Sequence, residues 1–435
     1  MAVTIPSNQA LPVHLNPALR GRRPSATLAI NERCAQLVKQ GRQIYRLGFG
    51  QSPFPVPPSA VAALREQAAQ RSYLPVKGLA ELRTAVAQFH QRYYDLPAES
   101  EDILIGPGSK ELIFLAQFVY HGDLIIPAPS WVSYEPQARL LGQPAQRIPT
   151  RREDGWRLRP EDLDKLCRDE PERPRLLILN YPNNPTGLSY REDELQALAH
   201  VARRHRLLII SDEIYGELHH AGRHVSLARF YPEGTIVSSG LSKWCGAGGW
   251  RLGTCCFPRS LRWLLDAVAA VASETFSTVA APIQYAAITA YERDSQIERY
   301  LFQSRRILRA LGRLVSRRLQ SFGLETPAPE GGFYLFLDFT PHAAALRARG
   351  MLTSPQLCER LLMETGVALL PGADFGRPPE EFTCRLAYVD FDGGRCLEAA
   401  AEIADDQELS DDFLRRHCAR VLTAIDLIGD WLAAA

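Results

Sequence analysis

Neither sign of charge dominates this sequence: 50 lysines and arginines face 49 aspartates and glutamates over 435 residues. That balance removes the basic footprint of a dedicated nucleic-acid or membrane-surface binder, so neither partner is expected. CxxC pairs are missing, and the nine cysteines are odd in number and scattered. This argues against a disulfide framework or a zinc site and for reduced thiols in the cytoplasm. The uncharged stretch from Thr275 to Tyr291 carries Ser277, Thr278, Pro282 and Gln284, which is too short and polar to cross a bilayer. The opening MAVTIPSNQALPVH has neither a basic start nor a continuous apolar core, so no export signal is expected. Lysine is scarce as well. Beyond Lys165 the only amine side chain is that of Lys243, in a chain whose positive charge is nearly all arginine.

What is present is an alternation of short apolar runs with helical segments. The runs DILIGPG, DLIIPAPSW, RLLILNYPNNPTG, LLIISDEIYG, TIVSSGLSK and RLGTCCFP predict buried parallel strands joined by crossover helices. The expected fold is α/β: a three-layer α/β/α large domain with a mostly parallel sheet over residues 60–300. A smaller α+β domain is expected from 1–59 and 301–435, with residues 1–27 as an arm. Its strands are read in GGFYLFLDF and CRLAYVDF. The spacing of Ile307, Leu308, Leu311, Leu314, Val315 and Leu319 predicts one buried face of a long helix, with arginines on the solvated side. The acidic stretch Glu402 to Asp412 reads as an exposed loop.

Three glycine pairs suggest a dinucleotide loop, but Pro53, Glu111 and Arg251 stand where GxGxxG needs its last glycine. His219, His220 and His224 lack a metal-ligand spacing, so no metal is expected and solvated histidines are. The distinctive polar residues instead cluster where strand-like runs end, and in open α/β sheets those ends converge on one crevice. Lone lysines are ordinarily surface charges. Lys243 follows an apolar run and precedes Gly/Trp-rich sequence, surroundings that can lower an amine pKa toward 7 or 8 and suit Schiff-base and proton-transfer chemistry. Asp212 could keep a pyridine nitrogen protonated, and Tyr215 could hydrogen-bond a ring oxygen. Gly108, Ser109 and Lys110 open a helix after a strand and, with Arg251, suit a phosphate. Trp131 could stack on an aromatic ring.

These residues resemble the class I aminotransferases, the aspartate aminotransferase branch of fold type I pyridoxal 5'-phosphate enzymes. The resemblance is carried by NNPTG at 183–187, SDEIYGEL at 211–218, GLSK at 240–243, GWRLG at 249–253 and CRLAYV at 384–389. It implies that Lys243 forms an aldimine with the cofactor and then moves a proton between the substrate and cofactor carbons. It further implies that Asp212 pairs with the pyridinium nitrogen and that Tyr215 and Asn184 bind the phenolic oxygen. Ser109, Ser242 and Arg251 hold the phosphate with the amides of Gly108 and Lys110, Trp131 stacks on the ring, and Arg385 clamps the α-carboxylate with help from Asn184 and Gly50. Tyr73 resembles the tyrosine that members send into a neighbouring subunit, which implies a homodimer with shared sites.

The implied reaction passes an amino group from an α-amino acid to a 2-oxo acid. Ser273 stands where aspartate-specific members carry arginine, which favours a neutral or aromatic donor over a dicarboxylate. A lyase, decarboxylase, racemase or oxidase using the same cofactor is the alternative.

Overall fold

The computed structural model describes residues 25–434. Of the expected arm over 1–27, residues 1–24 lie outside the described residues, and Ala26 and Thr27 instead open the helix Ala26–Lys39. A seven-stranded sheet is built from β1 (Ile103–Gly106), β2 (Asp123–Ala128), β3 (Ala145–Pro149), β4 (Arg175–Asn180), β5 (Leu208–Asp212), β6 (Thr235–Gly240) and β7 (Gly253–Cys256), in the order β1-β7-β6-β5-β4-β2-β3. Every residue of β1, β4, β5, β6 and β7 is buried, as apolar runs covered on both faces require. Alternate residues serve opposite layers. Ile126, Ile178 and Ile210 pack with Leu112, Leu115, Leu264 and Val268 of the helices Ser109–Val119 and Arg262–Glu274. Their neighbours Ile125, Leu177 and Ile209 pack with Leu163, Leu195 and Leu198 of the helices Pro160–Arg168 and Glu192–Arg204. This is the α/β/α sandwich.

Two details depart from the sequence reading. β7 runs antiparallel to both β1 and β6, and the edge strand β3, with the partly polar sequence AQRIP, pairs parallel to β2. A second, antiparallel sheet contains β8 (Tyr334–Asp338), β9 (Leu370–Pro371) and β10 (Thr383–Ala387) in the order β8-β10-β9. The helix Ser295–Ser321 buries all six apolar residues that its periodicity predicts. Arg306 on that helix is buried instead of solvated, and donates to the carbonyls of Ala400, Ile403 and Ala404.

Among the described residues no helix is long and apolar enough to cross a membrane, and no His/Cys/Asp/Glu group is arranged for a metal ion. The histidines expected to be solvated are largely enclosed. His224 Nε2 lies 2.9 Å from Glu213 Oε2, and the His220 ring nitrogens face the carbonyls of Pro329 and Gly332 at 3.0 Å each.

Candidate active site

The carboxyl ends of β1, β2, β4, β5 and β6 open on one cleft of about 460 Å³, within the usual range for a small-molecule site. Because β7 is reversed, the residues just before it arrive at this same edge. Its lining includes Gly50, Ser109, Lys110, Trp131, Asn184, Asp212, Tyr215, Ser242, Lys243, Arg251 and Arg385. Gly108 borders it beneath the Arg251 guanidinium. Tyr73 alone among the expected site residues stands apart, 92% exposed.

Lys243 Nζ donates to the Gly50 carbonyl at 3.0 Å and lies 5.7 Å from the centre of the Tyr215 ring. Burial, reinforced by the Arg385 cation, lowers its pKa to about 8. Asp212, the last residue of β5, is held from below: Tyr134 donates to its Oδ2 at 2.6 Å, and the Ile214 N–H to its Oδ1 at 3.3 Å. Burial raises the Asp212 pKa to about 6, and a cation placed opposite would bring it down again.

Arg385, in the middle of β10, is fully buried and forms no ion pair among the described residues. It donates to Asn184 Oδ1 at 3.0 Å and to the Gly48 carbonyl at 2.6 Å. With Oδ1 engaged, the Asn184 amide NH2 remains available as a donor. The Tyr215 and Tyr334 hydroxyls are 2.8 Å apart.

At the other end of the cleft, Gly108 caps the helix Ser109–Val119 with φ +94°. The N–H groups of Ser109 and Lys110 fall in the first turn, where a helix supplies no acceptor. Arg251 donates to the carbonyls of Gly248 and Pro107 at 3.0 and 3.2 Å and forms no ion pair among the described residues. A Cβ at Gly108 would overlap its guanidinium. Free helix-end amides, two hydroxyls and an uncompensated arginine make a donor set for a dianionic phosphate. Asp212 and Trp131 line the same cleft. These residues therefore fit pyridoxal 5'-phosphate: donors that would hold its phosphate, an acid that would pair with its ring nitrogen and an amine that would meet its aldehyde.

Sequence reasoning missed three members of this site. Tyr134, three residues after Trp131, was signalled only by that spacing. Tyr334 lay inside a run that reads as plain strand, and Asn180, which donates to the Asp212 carbonyl at 2.8 Å, lay at the end of another. Ser273 belongs to the helix Arg262–Glu274, exposed and donating to the Ala270 carbonyl, and it is not part of the cleft lining. The substrate expectation built on it has no support in this geometry.

A family model described as aminotransferase class I and II matches residues 42–390. A probable aspartate/prephenate aminotransferase of Thermus aquaticus is 34% identical over 366 residues, covering 83% of this chain and 92% of that protein. An aspartate aminotransferase of Bacillus subtilis is 32% identical, covering 84% and 92%. The solved aspartate aminotransferase of Thermus thermophilus with maleate superposes with a TM-score of 0.82 at 28% identity, covering 96% of this chain and 99% of the other. This chain belongs to the class I and II aminotransferases and is a pyridoxal 5'-phosphate-dependent aminotransferase of the class I branch.

Proposed function

We propose that this enzyme exchanges an amino group between aspartate and a 2-oxo acid, with Lys243 as the catalytic amine and Arg385 as the anchor for the α-carboxylate. The bound cofactor supplies an aldehyde to accept the amine and a ring that withdraws electrons from the substrate α-carbon. Lys243, with a pKa near 8, is suited to take the proton from that carbon and would deliver it to the cofactor's former aldehyde carbon, beyond the shared nitrogen. Asp212 holds a proton on the ring nitrogen, and Tyr134 keeps that carboxylate aimed. Tyr215 and the Asn184 amide donate to the ring oxygen. Ser109, Ser242, Arg251 and the first amides of the helix Ser109–Val119 hold the phosphate, and Trp131 covers the ring.

One observation carries the reading: the Lys243 amine, from the turn just past β6 of the first sheet, and the Arg385 guanidinium, from β10 of the second, line one cleft with Asp212. A second carboxylate finds a partner in Lys110, which has no ion pair among the described residues and lies 5.0 Å from the centre of the Trp131 ring. The dicarboxylate donor is supported by that amine, by the aspartate in the relatives' names and by the maleate, itself a dicarboxylate, in the Thermus structure. A homodimer in which Tyr73 reaches a neighbouring cleft suits its 92% exposure. A reducing cytoplasm suits nine free thiols.

Steady-state kinetics with aspartate, alanine and phenylalanine as donors test the substrate. Aspartate is expected to be preferred, and Lys110→Met should lower its kcat/KM by roughly tenfold to a hundredfold, the worth of a hydrogen bond to a charged group, leaving alanine unchanged. A preference for alanine or phenylalanine in the parent enzyme would overturn the assignment.

A further inference from the structure

Arg385 lacks the compensation that a buried cation ordinarily has. Among the described residues it forms no ion pair, Asp374 acting on it only through its charge at a distance; its Nε has no hydrogen-bond partner there, and its two terminal nitrogens use neutral carbonyl acceptors. What covers its faces is aromatic: the Tyr334 ring centre lies 4.7 Å and the Phe375 ring centre 5.0 Å from the guanidinium carbon. The quadrupole of each ring supports a planar cation in this position.

Tyr334 has a second attachment. Its hydroxyl is 2.8 Å from that of Tyr215, and both side chains are fully enclosed. A Cβ on Gly50 would overlap the same hydroxyl, so the chain at position 50 closes over it. Each phenol has one proton. If Tyr215 gives its proton to the cofactor's ring oxygen, the Tyr334 proton must point to the Tyr215 oxygen. That fixes one direction for the chain, from Tyr334 to Tyr215 to the ligand. Donors in series strengthen one another, and the adjacent Arg385 charge polarises the first of them.

We propose that Tyr334 is a positioning residue that links the carboxylate anchor to the ring-oxygen donor, its ring bracing the Arg385 guanidinium and its hydroxyl aligning the Tyr215 donor. The inference rests on the proposed roles of Arg385 and Tyr215. Its distinctive content is that the two attachments are separable. The hydroxyl governs the ring-oxygen end, and the ring governs carboxylate binding.

Two variants separate them. Tyr334→Phe keeps the ring and the packing, while Tyr334→Leu removes both attachments. Absorbance of the cofactor-loaded protein is followed from acid to alkaline pH, and maleate, which does not react, is titrated by calorimetry. A donor to the ring oxygen favours the form that has lost the neighbouring proton. Tyr334→Phe should therefore move the absorbance midpoint upward by about 0.3 pH unit or more, as expected for a weakened link in a hydrogen-bond chain, with maleate affinity changed less than about twofold. Tyr334→Leu should weaken maleate binding roughly tenfold, within the range of a desolvated cation–π contact.

An unshifted midpoint in Tyr334→Phe would overturn the hydroxyl's role. Weakening by the Phe variant equal to that by the Leu variant would overturn the division between ring and hydroxyl. Failure of the underlying reading looks different: the parent protein would then show no pH-dependent cofactor band, or Arg385→Leu would bind maleate as well as the parent.

Discussion

Lys243 is an amine that the fold holds at a cost. Its folded pKa of about 8 lies below the ordinary 10.5, so the charged form is disfavoured in the native state relative to the unfolded chain. The penalty is full below pH 8, where both states are protonated. It declines between about pH 8 and 10.5 as the native amine stays neutral and the unfolded one loses its proton too. At most it amounts to roughly 3 kcal/mol, from the free energy of a pKa shift. Lys243→Met should therefore raise the melting temperature of the cofactor-free protein at pH 7, by an amount that shrinks toward pH 10, while abolishing transamination. Calorimetry at both pH values checks this, and an equal gain at each would assign the effect to packing instead of charge. At this scale the sequence was readable wherever a residue's chemistry is unusual for its surroundings, as with a lone lysine after an apolar run. It was mute about Tyr134, because a phenol that meets Asp212 across 78 positions is a tertiary event and looks like any core tyrosine.

Among the elements, β7 decides where Arg251 goes. The run RLGTCCFP is as apolar as its neighbours, so direction is not written in its composition. It is written in the connection: the segment between Gly240 and Gly253 contains only a short turn of helix at Gly248–Trp250. A parallel return needs a crossover, usually a helix, whereas a reversing segment gives an antiparallel neighbour. The reversal puts Lys243 and Arg251 at one edge, and Gly253 of β7 meets Gly108 there so closely that a Cβ would strike its backbone. Gly108 in turn adopts φ +94° under the Arg251 guanidinium, a conformation that costs an L-residue about 1 kcal/mol or more. Gly108→Ala should displace the guanidinium and tilt the first turn of the helix. The expected outcome is cofactor affinity lowered by about tenfold or more, as loss of a charge-assisted hydrogen bond would give, with kcat at saturating cofactor much less affected. Fluorescence titration of the cofactor-free protein with pyridoxal phosphate measures it; an unchanged affinity would place the phosphate elsewhere.

For the molecule as a whole, the cleft exists because β10 of the second sheet carries Arg385 to the edge of the first. CRLAYV marks the residue in the sequence, but its acceptors Gly48 and Asn184 stand 337 and 201 positions away, so the chain could reveal the guanidinium without revealing what seats it. The same long-range closure explains the cysteines. Scattered thiols without paired spacing suggest a reduced protein, and all nine are free and buried. They are spread over several packed clusters: Cys255 and Cys256 on opposite faces of β7, Cys245 in the loop after Lys243, Cys384 on β10 beside Arg385, and Cys167 and Cys34 apart from these. Burial pushes the thiols of Cys245 and Cys255 up to about 12, and a thiol held protonated is a poor nucleophile. An aromatic disulfide reagent at pH 8 should therefore label none of the nine rapidly in the native protein and all nine in denaturant. Because access then requires opening of the core, the slow native rate should fall further when the cofactor and maleate are bound, since a ligand specific to the folded state lowers the population of open forms. Rapid labelling of one or two thiols in the native protein would show that part of this core opens locally, and mapping the labelled cysteine would identify which sheet gives way.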